Sequence, residues 1–403
     1  MDDAPRVLSW NLTKRCNLRC AHCYLSAGEA EQGELSTEEA LAVVEQAARA
    51  GTELLILSGG EPLMRQDIVQ IAAHASALGV NVVLGTNGTL LTDEKVRRIR
   101  EAGVQGVGIS LDSVDREKHD TFRGVPGARA RAVTGIRRCV AAGLPVLVQA
   151  TVTPWNYHEI PDLMRFAADL GAAGFTLYFL VCTGRGETLT DITPDQYEAA
   201  LACLVAAQGR YPGMMLRAKC APQVYRVAVR EGSVLAGSAG CLAGISYGRI
   251  TPEGDVTPCP YLPLPVGNVQ RTELADIWAN SPVLQQLRAP TLSGRCGSCE
   301  FARQCGGCRA RVYATAGDLW GEDPFCSYHP RGTPTPATTP LAWEDEATAR
   351  IQRVPGFIRE RVKAGVEGFA RARGYPVITL GVLEEVLRSV GRPVPGRRPE
   401  SAR

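Results

Sequence analysis

The feature that most constrains the fold is a repeated alternation. From Arg6 to about Gln208, short apolar runs take turns with amphipathic helical stretches. The runs are RVLSWNL, ELLILSG, VNVVLGT, GVGISLD, PVLVQATV and GFTLYFLV, all of strand length. Between them, STEEALAVVEQAARAG opens with Ser36 and, three residues on, Glu39, a capping box, and stops at Gly51. GARARAVTGIRRCVAAG and EIPDLMRFAADLG also end on glycine. Six strand–helix pairs in succession predict parallel strands buried on both faces, hence an α/β barrel or a doubly wound sheet. In a barrel, chemistry gathers where strands end and loops begin.

From Tyr211 to Pro330 glycine, proline and cysteine become frequent and long helical periods vanish, so this segment needs internal staples. RGTPTPATTPL reads as a linker, the stretch beyond it as a small domain of about three helices, and GRPVPGRRPESAR as a solvated tail. The expected division is therefore 1–210, 211–330, 331–341, 342–393 and 394–403. A net charge of +2 gives no reason to expect nucleic acid or a membrane surface as partner, and the longest apolar runs are too short to span a bilayer. MDDAPRVLSW lacks a basic region followed by an apolar core, so a cytoplasmic location is expected. In a reducing compartment the fourteen cysteines read as metal ligands or redox groups rather than disulfides.

Three of them, Cys16, Cys20 and Cys23, fall in KRCNLRCAHCY directly after the first strand, at the mouth of the expected barrel. Zinc prefers four closed ligands, whereas an iron–sulfur cube held by three thiolates keeps one iron open for a small molecule. The spacing C-x3-C-x2-C, with His22 before the last cysteine, resembles the radical S-adenosylmethionine (SAM) superfamily. That resemblance implies a partial (β/α)6 barrel, a [4Fe–4S] cluster on Cys16, Cys20 and Cys23, and reductive cleavage of SAM to a 5′-deoxyadenosyl radical. LSGGEP after the second strand fits the superfamily's loop for the SAM amino group: Gly59 and Gly60 allow close backbone approach, Glu61 offers a carboxylate, and Pro62 closes the motif. By the same resemblance Asn87, Ser110, Asp112 and the segment from Thr151 to Asn156 surround the cofactor.

A second cysteine field comprises Cys241, Cys259, Cys296, Cys299, Cys305, Cys308 and Cys326. In isolation its C-x2-C pairs suggest a zinc ribbon. The seven-cysteine array resembles the SPASM extension, which holds auxiliary iron–sulfur clusters. It departs from that pattern in having two rather than three residues between Cys305 and Cys308. The resemblance implies one cluster on Cys296, Cys299, Cys305 and Cys326, and part of another on Cys241, Cys259 and Cys308. No cysteine stands in AGISYGR, so the nearer cluster has an open iron, recruits Cys220, or does not form. Cys139 and Cys203 read as core residues, Cys182 as packing or redox, and His119, His158 and His329 as surface or hydrogen-bonding residues.

SPASM proteins mostly modify peptides, which makes a precursor peptide one candidate substrate. Yet LILSGGEPLMRQDI, CLAGISYGRITPEGDVTPCPYLP and the Cys296–Cys326 stretch resemble the radical SAM proteins of iron-tetrapyrrole synthesis. The last fifty residues resemble the small terminal domain of light-independent protochlorophyllide reductase. These resemblances imply oxidative decarboxylation or removal of a tetrapyrrole side chain, with flavodoxin or ferredoxin as electron donor. Arginines would meet the substrate carboxylates. Arg123, Arg185, Arg309 and Arg311 are the candidates.

Overall fold

The computed structural model describes residues 4–29, 33–211, 213–231, 233, 240–332, 341–354 and 356–389. All six expected strands form: β1 (Val7–Asn11), β2 (Leu54–Ser58), β3 (Asn81–Thr86), β4 (Val104–Ser110), β5 (Val146–Val152) and β6 (Gly174–Phe179). Between them run α1 (Thr37–Arg49), α2 (Ile68–Ala77), α3 (Asp93–Glu101), α4 (Arg116–Arg123), α5 (Ala128–Ala141) and α6 (Ile160–Asp169), with α7 (Pro194–Ala206) following β6. The capping box of α1 is made: the Glu39 amide donates to Ser36 Oγ at 3.2 Å, and the Ser36 amide donates to Glu39 Oε2 at 2.8 Å.

Strands β1 to β6 lie side by side in sequence order and all pair in parallel. A doubly wound sheet reverses its order at a switch point. This one does not, so right-handed crossovers put the helices on one face and leave an open barrel. Burial on both faces, expected from the sequence, holds along β1, β4 and β6, where buried residues follow one another. In β3 and β5 buried residues alternate with half-buried ones. Helices cover one face; the other lines the barrel interior, which an unclosed sheet leaves accessible.

The sheet also runs past residue 210. β7 (Met215–Lys219) pairs in parallel with β6. At the opposite edge β8 (Tyr247–Ile250), from the cysteine-rich segment, pairs in parallel with β1. It leads into the antiparallel strands β9 (Asp255–Thr257) and β10 (Gly267–Asn268), completing ten strands. The remainder of that segment is built on the short helices α8 (Val224–Arg230), α9 (Leu274–Asn280), α10 (Pro282–Arg288), α11 (Gly294–Gly297) and α12 (Arg309–Ala316).

The C-terminal unit has its three expected helices, α13 (Asp345–Ile351), α14 (Gly356–Ala372) and α15 (Leu380–Ser389). It adds two parallel two-residue strands, β11 (Ala342–Trp343) and β12 (Val377–Ile378), too short to show a period in the sequence. Val366, Phe369, Ile378, Val382 and Leu383 form a core of its own. Most of the expected linker and the tail lie outside the described residues. Among the described residues no helix is long and apolar enough to cross a membrane.

Candidate functional site

Cys16, Cys20 and Cys23 lie on the loop that leaves β1 and pack together against Leu18, Val125 and Ala128. The loop is shaped by its own backbone. The Cys16 amide donates to the Gly28 carbonyl at 2.8 Å, and the amides of Leu18 and Ala27 donate to the sulfurs of Cys16 and Cys23, each at 3.4 Å. From the turn after β6, Arg185 spans it, donating from Nε to the Cys20 carbonyl at 3.1 Å and from Nη1 to the Ala27 carbonyl at 2.7 Å. At the end of α4, Arg123 puts Nη1 3.6 Å from Cys20 Sγ and Nε 2.6 Å from Asp112 Oδ2.

Electrostatically this is a place for thiolates only if something cationic joins them. Burial pushes the Cys16 thiol up to about 11. Burial also raises Cys20, with Arg123 pulling the other way. Burial and Arg123 hold His22 down to about 3, so its ring is neutral; it stacks on Phe122 at 4.2 Å between centroids. His22 Nδ1 is buried without a partner. Three converging thiols that need a positive centre, beside an unsatisfied polar atom, suit a bound metal cluster with a polar ligand.

The expected cofactor residues divide into two sets. Asn87 stands at the site: its Nδ2 donates to Asn17 Oδ1 at 2.9 Å and lies 3.9 Å from Cys16 Sγ. Ser110 is half-buried at the end of β4. The side chains of Glu61, Asp112 and Asn156 turn inward and tie the loops at the strand ends together. Glu61 is fully buried and accepts from Thr86 Oγ1 at 2.7 Å, the Asn87 amide at 2.9 Å and the Leu63 amide at 3.1 Å, with Pro62 starting the turn it caps. Its carboxylate is spent on joining loops. Gly59 and Gly60 also lie close against the cysteine loop: a Cβ on Gly60 would collide with the Arg15 carbonyl, and the Gly60 amide donates to Thr13 O at 2.7 Å. Asp112, fully buried, accepts from Arg123 and the Thr151 amide; burial pushes its carboxyl up, but Arg123 and the two histidines bring it below the ordinary range. Asn156 donates to the carbonyls of Asp112 and Thr151 at 2.8 and 2.9 Å and accepts from Thr153, so its amide is saturated.

The four arginine candidates for substrate carboxylates have different partners, aspartates for Arg123 and Arg311 and backbone carbonyls for Arg185 and Arg309. Arg123 and Arg185 serve the cysteine loop, Arg309 donates to the carbonyls of Leu319 and Gly321, and Arg311 pairs with Asp323 at 3.1 Å, both buried. His119 is buried, accepting the Asp112 amide at Nδ1, whereas His158 and His329 are exposed. Cys139 is core, Cys203 packs against it, and the Cys182 thiol donates into its own loop, to Leu189 O and Asp191 Oδ2.

In the second field, Cys296, Cys299, Cys305 and Cys326 line one pocket, whose empty space including its open mouth is about 420 Å³. Cys308 belongs elsewhere: with Cys259 it is buried in a cluster that also holds Cys241 and Cys220. Gly306 and Gly307, both left-handed at φ 64° and 71°, separate Cys305 from Cys308 and send them to different groups. Among the described residues no three His, Cys, Asp or Glu side chains are drawn in closely enough to hold a single metal ion. Arg309 Nε, Arg309 Nη2 and Arg311 Nε are buried without partners near these thiols, which fits anionic thiolate clusters. Asn17, inside the first cysteine motif, is passed over by the sequence reading, which casts Arg185 as a partner for substrate rather than for the cysteine loop; each acts through loops that meet only in the fold.

Residues 10–167 match the radical SAM superfamily, residues 241–308 the SPASM iron–sulfur cluster-binding domain, and residues 343–386 the proto-chlorophyllide reductase 57 kD subunit. An incomplete parallel barrel with three thiols beyond its first strand, extended by such a domain, is a radical SAM enzyme; it uses a SAM-binding [4Fe–4S] cluster and auxiliary iron–sulfur clusters. The chain is 41% identical over 344 residues to the AdoMet-dependent heme synthase of Methanosarcina barkeri, covering 82% of this chain and 98% of that one. It is 35% identical over 346 residues to the pre-heme d1 synthase of Dinoroseobacter shibae, covering 79% and 85%. It belongs to the radical SAM family that contains these two proteins. In fold it is similar to Streptococcus suis SuiB bound to its precursor peptide SuiA, with TM-score 0.68 and 18% identity over 81% of this chain and 76% of that one.

Proposed function

We propose that this enzyme acts on a carboxylate-bearing side chain of an iron tetrapyrrole, by oxidative decarboxylation or side-chain removal, in the cytoplasm and with flavodoxin or ferredoxin as its electron source. The observation that carries this reading is the 41% identity spanning 98% of the M. barkeri heme synthase. In it, residues 1–210 form the radical-generating unit with Cys16, Cys20 and Cys23 as cluster ligands and Asn87 and Ser110 beside SAM. Residues 211–330 form the auxiliary unit, and residues 342–393 are a terminal module. Once bound and reduced, the cluster with SAM supplies a 5′-deoxyadenosyl radical that takes hydrogen from an inert C–H bond.

The chain's own contribution is to orient the macrocycle. Arg123 and Arg311 are paired with buried aspartates, and a further arginine supports the reading. Arg249 on β8 is 7% exposed, donates from Nε to Asn11 Oδ1 at 2.5 Å, and lies 5.7 Å from the centroid of the Tyr24 ring. Among the described residues no carboxylate pairs with it. Tyr24, whose hydroxyl accepts from Asn11 Nδ2 at 2.9 Å, sits in the field of both Cys23 and Cys259. A guanidinium there can hold a propionate in a fork between the two cysteine fields.

The test is anaerobic reconstitution with iron and sulfide, then SAM, a reductant and a set of iron porphyrins bearing acetate or propionate arms. Mass spectrometry should find one of them lighter by carboxyl groups or by whole arms. SAM cleavage with every porphyrin unchanged, and a modified peptide instead, would replace this reading with a peptide maturase.

A further inference from the structure

The nearer auxiliary site has three cysteines by motif and four by structure. Cys259 and Cys308 are buried, 8% and 4% exposed, in one cluster with Cys220 and Cys241 packed against them. The contacts interlock. Cys220 and Cys308 lie close enough to perturb each other's ionisation, Cys220 is also within electrostatic reach of Cys259, and Cys241 is within reach of both Cys308 and Cys259, all four in the same packed cluster. Each of the four therefore neighbours at least two others. They come from four separate places in the chain: the end of β7, the lead into β8, the turn after β9 and the N-terminal end of α12.

One buried ion pair fixes two of these corners. Arg311 Nη2 donates to the Cys220 carbonyl at 2.7 Å, and its partner Asp323 accepts the Cys308 amide at 2.7 Å. Asp323 also accepts from Gln223 Nε2 at 2.8 Å and from the Phe325 amide at 3.1 Å, so its oxygens are committed and offer no lone pair to a metal. Of the other cysteines, four line the separate pocket and three serve the barrel loop.

We propose that Cys220 is the fourth ligand of the nearer auxiliary cluster, so that Cys220, Cys241, Cys259 and Cys308 hold a fully thiolate-ligated [4Fe–4S] centre with no open iron. A cube takes one thiolate per iron. With every iron occupied, this centre exchanges electrons but does not bind substrate directly. The role does not depend on which substrate the enzyme modifies.

The test uses full-length protein in which Cys16, Cys20 and Cys23 are all alanine, leaving only auxiliary clusters. After anaerobic reconstitution, iron and sulfide are counted, and electron paramagnetic resonance is recorded following brief mild oxidation. The parent should carry about eight irons per chain, four for each cube, and show no three-iron signal. Adding Cys220→Ala should expose one iron, which oxidation removes, producing a three-iron signal or the loss of up to half the iron. Cys220→Ser should keep the iron and shift the reduction potential, which separates ligation from misfolding. Cys241→Ala should lose iron in parallel, while Cys203→Ala should match the parent. A Cys220→Ala protein with the parent's iron content and no new signal overturns the proposal. So does a Cys241→Ala protein that loses no iron, because then no cluster forms there.

Discussion

With Arg123 replaced by methionine, Asp112 would remain as a fully buried carboxylate without its nearest counter-charge. Breaking a buried pair from one side costs about 3–5 kcal/mol. Denaturant titration of Arg123→Met should show a loss of that size, and Arg123→Met with Asp112→Asn should recover most of it. His119 sets a pH response. Burial holds it at about 4, below the 6.5 of the unfolded chain, so the unfolded state binds the extra proton between those values. Stability should therefore fall as pH drops from 6.5 towards 4, by up to about 3 kcal/mol. Asp191, raised by burial to about 6, contributes in the opposite sense. The measurement is thus the difference between the protein and His119→Gln, whose titration curve should lack the histidine component. The cysteine spacing was legible here because thiolates on a short loop need only local sequence. The partners of those cysteines were not, since Arg123 and Arg185 arrive from α4 and the turn after β6.

At the level of elements, boundaries follow local chemistry. The reciprocal Ser36–Glu39 cap predicts that Ser36→Ala lowers stability by about 1 kcal/mol, readable as a drop in melting temperature with iron content unchanged. Gly307 carries a sharper consequence. It is left-handed, and a Cβ there would lie 2.6 Å from Arg309 Nη2 and 2.8 Å from Asp323 Cβ. Gly307→Ala should lower auxiliary iron in both cysteine groups while leaving SAM cleavage at the barrel loop measurable. The shortened Cys305–Cys308 spacing, a departure in the sequence, makes sense as two consecutive left-handed glycines dividing one motif between two sites. Alternating burial in β3 and β5 was not legible, because Val, Leu and Ile face the interior of an open barrel as readily as its helices.

For the molecule as a whole, the pairing of β8 with β1 makes the cysteine-rich segment part of the barrel sheet. A chain ending at residue 240 would expose the edge of β1 and should aggregate, whereas one ending at residue 332 removes a unit with its own core and should keep its iron and its SAM cleavage. Sedimentation and iron analysis of the two truncations check this. The sequence by itself determined the six-fold strand–helix rhythm, the three-thiol loop and the seven-cysteine array, because periodicity, capping and ligand spacing act over a few residues. Only the tertiary structure decided that Glu61 and Asn156 tie loops together, that Arg123 and Arg311 take buried aspartates while no carboxylate among the described residues pairs with Arg249, and that Cys220 packs into one cluster with Cys308 across 88 positions of chain. Those outcomes depend on which buried charges and thiols find partners, and partners from distant segments meet only when the sheet assembles.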